Sequence, residues 1–215
     1  MRNWLVGRSL LTAAMAVVFV VLAVPTEASA TERIRAFVVD LEVHEDTSVT
    51  VVEQITYDFG PTGEHHGIIR EIPLLYGTDD NQVTLDLTVQ SVTDENGVPR
   101  PYTDTGYGYR QLKIGDPDVE VLNEHTYVIT YVVDRAITGF DDYDELFWNV
   151  TGTGWSVPID TAVARVTLPE AANEATNSAT CFTGALFSKE KECTAVVLDD
   201  RTALFEATGL SAYEG

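Results

Sequence analysis

Val83-Thr84-Leu85-Asp86-Leu87-Thr88-Val89 carries an apolar residue at every second position and a polar one between each pair. Side chains of an extended chain point alternately to opposite faces, so this period places Val83, Leu85, Leu87 and Val89 on one face and leaves the other to water. Asn96-Gly97 follows, a strong signal for a tight turn. Toward the C-terminus, Tyr107 to Ile114 and Thr126 to Val133 continue the theme, the second run placing Tyr127, Ile129, Tyr131 and Val133 on one face. Ala162 to Leu168, ended by Pro169, then Ala195 to Leu198 and Ala203 to Ala207 complete the set. Toward the N-terminus, Ile34, Ala36 and Val38 alternate with polar or charged neighbours. His44 to Ser48 breaks that run before Val49 to Phe59 resumes it, which predicts a hairpin. Past residue 30, no stretch of twelve combines helical period with caps. Apolar sheet faces that no helix covers must be covered by other sheets. The expected fold is therefore all-β, an antiparallel β-sandwich of immunoglobulin-like or jelly-roll type, in one domain over residues 31–215.

The first thirty residues read differently. Arg2 and Arg8 precede an apolar run from Leu10 to Val24, Pro25 ends it, and Ala28-Ser29-Ala30 supplies the small-x-small pattern of a cleavage site. This predicts a signal-peptide helix over residues 1–30, too short for a comfortable bilayer span of about 20 apolar residues. Removing it leaves eleven basic against thirty-three acidic residues, a formal charge of −22. Phosphate binding needs clustered Lys and Arg, so nucleic acid and anionic lipid headgroups are poor partners. Cations, neutral glycans and basic proteins suit better. Cys181 and Cys193 lie close together in an exported chain, which predicts one disulfide closing a loop of about a dozen residues and worth on the order of 3 kcal/mol. A zinc site is the competitor, but no histidine follows Cys181 and the usual metal spacings are not met.

Thr138 to Ile159, TGFDDYDELFWNVTGTGWSVPI, joins a concentrated negative charge to Trp148 and Trp155. One end is expected in water and the other in the core, with Phe147 and Trp148 as the inward residues. Asp141, Asp142 and Asp144 offer oxygen ligands to calcium, as do Asp79, Asp80 and Asn81, or Asp116 and Asp118. None meets the EF-hand spacing, so solvated acidic turns are the adopted reading, with weak calcium binding as the alternative. His65 and His66 could reach one ion only in a turn, because neighbours on an extended chain diverge. They read instead as loop histidines, with Arg70 pairing to a nearby carboxylate, the acidic stretch being one source. No G-x-S-x-G, H-E-x-x-H or P-loop pattern occurs, and no cofactor is implied.

Taken in order, V-x-E-Q-I-T-Y-D-F from Val51, H-G-I-I-R-E-I-P from His66, L-K-I-G-D from Leu112, H-T-Y-V-I-T-Y from His125 and D-E-L-F-W-N-V-T-G-T-G-W-S-V-P-I from Asp144 closely resemble the N-terminal region of the YciQ-like predicted bacterial membrane proteins, a domain of unknown function. The resemblance runs from about Ile34 to Gly215. It implies an exported β-rich domain outside the cytoplasmic membrane, in proteins that continue into transmembrane helices. This chain departs after Leu210, reading Ser-Ala-Tyr-Glu-Gly where a last strand and membrane helices would follow. A fragment ending before those helices is therefore expected, a freely secreted variant being the alternative. The resemblance transfers no catalytic or ligand residue. The function expected is a non-enzymatic extracytoplasmic binding or sensory domain whose partner is a protein or a cell-envelope glycan. Its recognition face or structural ion pair is placed where His66 and Arg70 meet Asp141, Asp142, Asp144, Trp148 and Trp155. A calcium-dependent cell-wall or glycan-binding protein and a secreted hydrolase are the alternatives.

Overall fold

Alternation becomes strand through most of the computed structural model, which describes residues 32–77, 82–170 and 178–215. The predicted signal peptide, the Asp79-Asp80-Asn81 calcium candidate and residues 171–177 lie outside the described residues. Fourteen strands are described, and no helix occurs among the described residues. They are β1 (Arg33–Val43), β2 (Val49–Asp58), β3 (Ile68–Pro73), β4 (Leu75–Tyr76), β5 (Val83–Thr84), β6 (Asp86–Asp94), β7 (Tyr102–Thr105), β8 (Tyr109–Ile114), β9 (Glu124–Asp134), β10 (Ile137–Gly139), β11 (Asp144–Leu146), β12 (Ile159–Thr167), β13 (Cys193–Val197) and β14 (Thr202–Leu210). Seven form one sheet in the order β13-β14-β12-β1-β2-β9-β6. A second sheet runs β3-β8-β7, and β4-β5 and β10-β11 are two-stranded ribbons.

The predicted hairpin is present: β1 and β2 pair from Arg33↔Asp58 to Val43↔Val49, and the turn closes with Asp46 accepting from the backbone and hydroxyl of Ser48. On β9, Tyr127, Ile129, Tyr131 and Val133 are buried on one face, as the alternation predicts. Three expectations need correction. The sheets are not wholly antiparallel, because β1 and β12 run parallel from Ile34↔Ile159 to Glu42↔Thr167. Apolar alternation sets which face is inside and is blind to strand direction. On β1 a register shift between Ile34 and Ala36 reverses the phase, so Phe37, Val39, Leu41 and Val43 enter the core while Ala36 and Val38 do not. An extra residue in a strand flips every later side chain. The Val83–Val89 run also splits at Leu85, whose N–H leaves the ladder to donate to the Leu74 carbonyl at 2.8 Å. Leu85 and Leu87 are buried all the same.

The core is a single cluster. Ile34, Phe37, Ile55, Ile129 and Ile159 of the large sheet meet Ile68, Ile72, Leu112 and Ile114 of β3 and β8. The predicted bridge between Cys181 and Cys193 is formed. It pins the loop before β13 to the start of that edge strand.

Candidate functional site

On β2 the inward positions are Val49, Val51, Glu53, Ile55 and Tyr57, and on β3 they are Ile68, Arg70 and Ile72. Strand geometry thus aims one acid and one base into the same apolar layer. Arg70 is 1% exposed and Glu53 0%. The Arg70 Nε donates to Glu53 Oε2 and its Nη2 to Glu53 Oε1, both at 2.7 Å, the bidentate geometry that makes such pairs strong. Nη1 donates to the carbonyls of Thr151 at 2.6 Å and Glu71 at 3.0 Å, and Nη2 also to that of Val150 at 3.0 Å. All five N–H donors of the guanidinium are then engaged. Tyr131 donates its hydroxyl to Glu53 Oε1 at 2.7 Å, and the guanidinium carbon lies 5.1 Å from the Phe37 ring centre. Burial opposes the charge on Arg70, but the facing carboxylate outweighs it and holds the pKa above the usual arginine value. Burial first, and then the Glu53 charge, push the Tyr131 phenol well above its ordinary range.

This cluster orders the segment that follows β11. Trp155 is buried and its indole donates to the Thr151 carbonyl at 2.9 Å, the same oxygen that Arg70 holds. Gly152 sits at φ 77°, and a Cβ there would stand 3.1 Å from Arg70 Nη1. Trp148 packs against the core beside Tyr76 and Tyr131, while its indole nitrogen is buried with no hydrogen-bond partner among the described residues. Phe147, expected to point inward with Trp148, is instead 57% exposed. Neighbouring residues of an extended chain face apart, so only one of the pair can be inside.

The predicted site residues are not gathered in one place. Arg70 pairs with Glu53 and not with the acidic stretch, and Asp141, Asp142 and Asp144 are exposed around the β10–β11 turn. No group of three or more His, Cys, Asp or Glu residues able to hold a metal occurs among the described residues. His66 is exposed, its Nδ1 3.0 Å from the Val119 carbonyl. His65, by contrast, faces Glu32 at 3.6 Å and lines a cavity of about 340 Å³ above the buried pair. Tyr57, Phe59, Trp155 and Ser156 wall this cavity together with Glu32, Glu71 and Gln111. Two of its carboxylates are held in place, Glu32 by the Tyr57 hydroxyl at 2.7 Å and Glu71 by the Gln111 amide at 2.7 Å. The Tyr57 phenol is raised by burial and then by its bond to Glu32. Sequence reading missed Glu53, although its place in the inward register of β2 was the available signal.

Comparison with known proteins gives a family and no activity. Residues 33–215 match the model of the "Predicted membrane protein (DUF2207) N-terminal domain". The uncharacterized protein YciQ of Escherichia coli K12 is 29% identical over 131 residues, 60% of this chain and 21% of that protein. The matched segment is thus about a fifth of that curated relative's length. Among solved structures, native leukotriene A4 hydrolase from Saccharomyces cerevisiae is 13% identical with a TM-score of 0.49, over 85% of this chain and 28% of that one. A putative protease from Parabacteroides distasonis is 12% identical with a TM-score of 0.47, over 86% and 37%. Likeness of that degree transfers no activity. Among the described residues no helix is long and apolar enough to cross a membrane. With the family model covering all but the first 32 residues, the chain belongs to the family of predicted membrane proteins that carry this N-terminal domain of unknown function.

Proposed function

We propose that this chain is a non-enzymatic binding domain on the extracytoplasmic side of a membrane protein, and that its ligand enters the cavity between β2, β3 and residues 154–157. The observation that carries this reading is the composition of that cavity, which sets Glu32 and Glu71 among Tyr57, Phe59 and Trp155 in about 340 Å³. Such a volume suits a small ligand or one side chain of a larger partner. Two carboxylates beside aromatic walls, in a chain of net charge −21, favour a protonated amine. An amino sugar of an envelope glycan and the lysine of a protein partner both present one. Each carboxylate is already oriented by a neighbour, Glu32 by the Tyr57 hydroxyl and Glu71 by the Gln111 amide, which presents both in a fixed geometry to a ligand. The signal-like first thirty residues and the disulfide support the extracytoplasmic side. The shared core of the two larger sheets supports a sandwich as the architecture.

Thermal-shift titration with glucosamine and with Nα-acetyl-lysine amide, whose side-chain amine is free, tests the reading. A rise in melting temperature with either amine, smaller in Glu71→Gln and absent with N-acetylglucosamine, is the expected result. No shift with either amine would end it.

A further inference from the structure

We propose that the disulfide-closed loop from Cys181 to Cys193 is a second, independent contact surface, which seats its apex in the interfacial layer of a phospholipid bilayer. The loop is a small built unit. The disulfide closes its base, the Thr183 N–H donates to the Glu190 carbonyl at 2.8 Å, and the Ser188 N–H donates to the Ala185 carbonyl at 2.8 Å. That last bond makes a four-residue turn with Leu186 and Phe187 at its tip.

Turn tips ordinarily carry Gly, Asn, Asp or Ser. Here Leu186 is 63% exposed and Phe187 91%, with Phe182 also exposed below them. Phe187 further holds a left-handed backbone at φ 69°, a conformation that bulky residues rarely adopt. So exposed a ring packs on little of the described domain, and no ring contact of Phe187 among the described residues offsets its left-handed backbone. An outward partner supplies that contact.

Charge selects the partner. The chain has three lysines, and Lys189 and Lys191 both lie in this loop, where Glu190 and Glu192 balance them. The loop is therefore a neutral, apolar point on a molecule of net charge −21. That combination fits zwitterionic phospholipid: Leu186 and Phe187 enter the acyl boundary, while the Lys189 ammonium reaches lipid phosphate as long basic side chains do and Lys191 lies over the Phe182 ring, its Nζ 5.1 Å from the ring centre. Position agrees. Gly184 and Gly215 exchange backbone hydrogen bonds of 3.0 Å each, so any residues following Gly215 start from the base of this loop. In a family of predicted membrane proteins, that sets Gly215 and the base of the apolar loop side by side.

The test uses the whole chain exported so that its disulfide forms, with phosphatidylcholine vesicles at millimolar lipid as the probe. Sedimentation with the vesicles is expected, and Leu186→Ser/Phe187→Ser should lower the bound-to-free ratio about tenfold, since both apolar contacts are lost. Vesicles of phosphatidylglycerol should bind less than phosphatidylcholine at low salt and approach it at high salt, as screening removes the repulsion. Phe187→Trp should be quenched by brominated phosphatidylcholine, with little quenching of the wild-type chain. Equal sedimentation of the double-serine variant with an unchanged melting temperature, or no quenching of Phe187→Trp, would overturn the proposal. A wild-type dimer that the double variant abolishes, without vesicle binding, would overturn it too and assign the apex to a second copy of the chain.

Discussion

Removing the guanidinium of Arg70 should unfold more of this domain than any other single change to a charged residue described above. In Arg70→Met the side chain keeps much of its bulk, but the Glu53 carboxylate remains 0% exposed, and among the described residues only the Tyr131 hydroxyl still donates to it. Stripping one partner from a buried pair costs about 3–5 kcal/mol. The carbonyls of Glu71, Val150 and Thr151 lose a donor as well, each at a further cost of about 1 kcal/mol where water cannot replace it. The expected loss is about 5 kcal/mol or more, against a total of roughly 5–15 kcal/mol for an ordinary domain. Glu53→Gln should cost less, about 3 kcal/mol, because Arg70 keeps its three carbonyl partners. In Arg70→Met/Glu53→Gln no charge is stranded, so the loss should fall short of the sum of the singles by about 2 kcal/mol. Urea unfolding followed by far-UV circular dichroism and by tryptophan fluorescence measures all four chains, and coincident transitions establish that the comparison is two-state. An Arg70→Met chain within about 1 kcal/mol of wild type, or strictly additive singles, would refute the claim that this pair is desolvated and mutually dependent.

Trp155→Phe should destabilise by about 1 kcal/mol more than Trp148→Phe, because the first indole donates to Thr151 and the second has no partner to lose among the described residues; equal losses in urea would contradict this. Gly152→Ala should cost about 1–3 kcal/mol, since the added Cβ meets Arg70 Nη1 on a left-handed backbone; a neutral effect would show that the segment relaxes easily. Cys181→Ser/Cys193→Ser should lower stability by about 3 kcal/mol or less, measured against the oxidised chain. Stability should also fall on both sides of neutrality. Asp58 and Asp94 titrate below the usual carboxylate range, held by backbone N–H bonds first and then by Arg35 or Arg100. Their contribution is present above about pH 4 and is lost as pH drops through the lowered values. Tyr57, Tyr127 and Tyr131 are raised chiefly by burial, Tyr127 to about 12. Their contribution is complete below about pH 10 and is lost as pH rises from there, so melting temperature should decline above about pH 10 and decline less in Tyr131→Phe.

How far the residues alone disclose this structure depends on which physical property each feature expresses. Burial by alternation is local, so the strands holding Leu87, Ile129 and Ala164 are legible from side-chain type. Strand direction and phase are not, since the parallel β1–β12 pairing and the shift after Ile34 arise from contacts far apart in sequence. The buried pair is an intermediate case. Glu53 stands two residues from Val51 and Ile55, and Arg70 two from Ile68 and Ile72, so each visibly occupies an inward position. That they face one another requires the packing of β3 against β2, which no short-range pattern carries. The acidic stretch misled because its charge density resembles a partner for Arg70. Asp141, Asp142 and Asp144 instead stay hydrated at an exposed turn, where leaving water would cost more than a distant arginine returns.

The pair and the cavity are mechanically one object, and this separates binding from folding in a way that experiments can use. Arg70 and Trp155 both donate to the Thr151 carbonyl, and Trp155, Gly154, Ser156 and Val157 form one wall of the cavity. Loosening Arg70 therefore moves that wall, so a loss of ligand in an Arg70 variant says nothing about direct contact. Glu71 differs, because its backbone carbonyl serves the clamp that Arg70 and Glu53 form, while its carboxylate faces the cavity and Gln111. Glu71→Gln leaves the carbonyl where it is and removes only side-chain charge at an exposed position. Its unfolding free energy should stay within about 0.5 kcal/mol of wild type while amine affinity falls by about fivefold or more, the worth of about 1 kcal/mol for a lost charge-assisted contact. Loss of both stability and affinity in Glu71→Gln would mean that the carboxylate belongs to the clamp. Loss of neither would remove the cavity acids from the binding reading and leave the rigid wall without a charged ligand to meet.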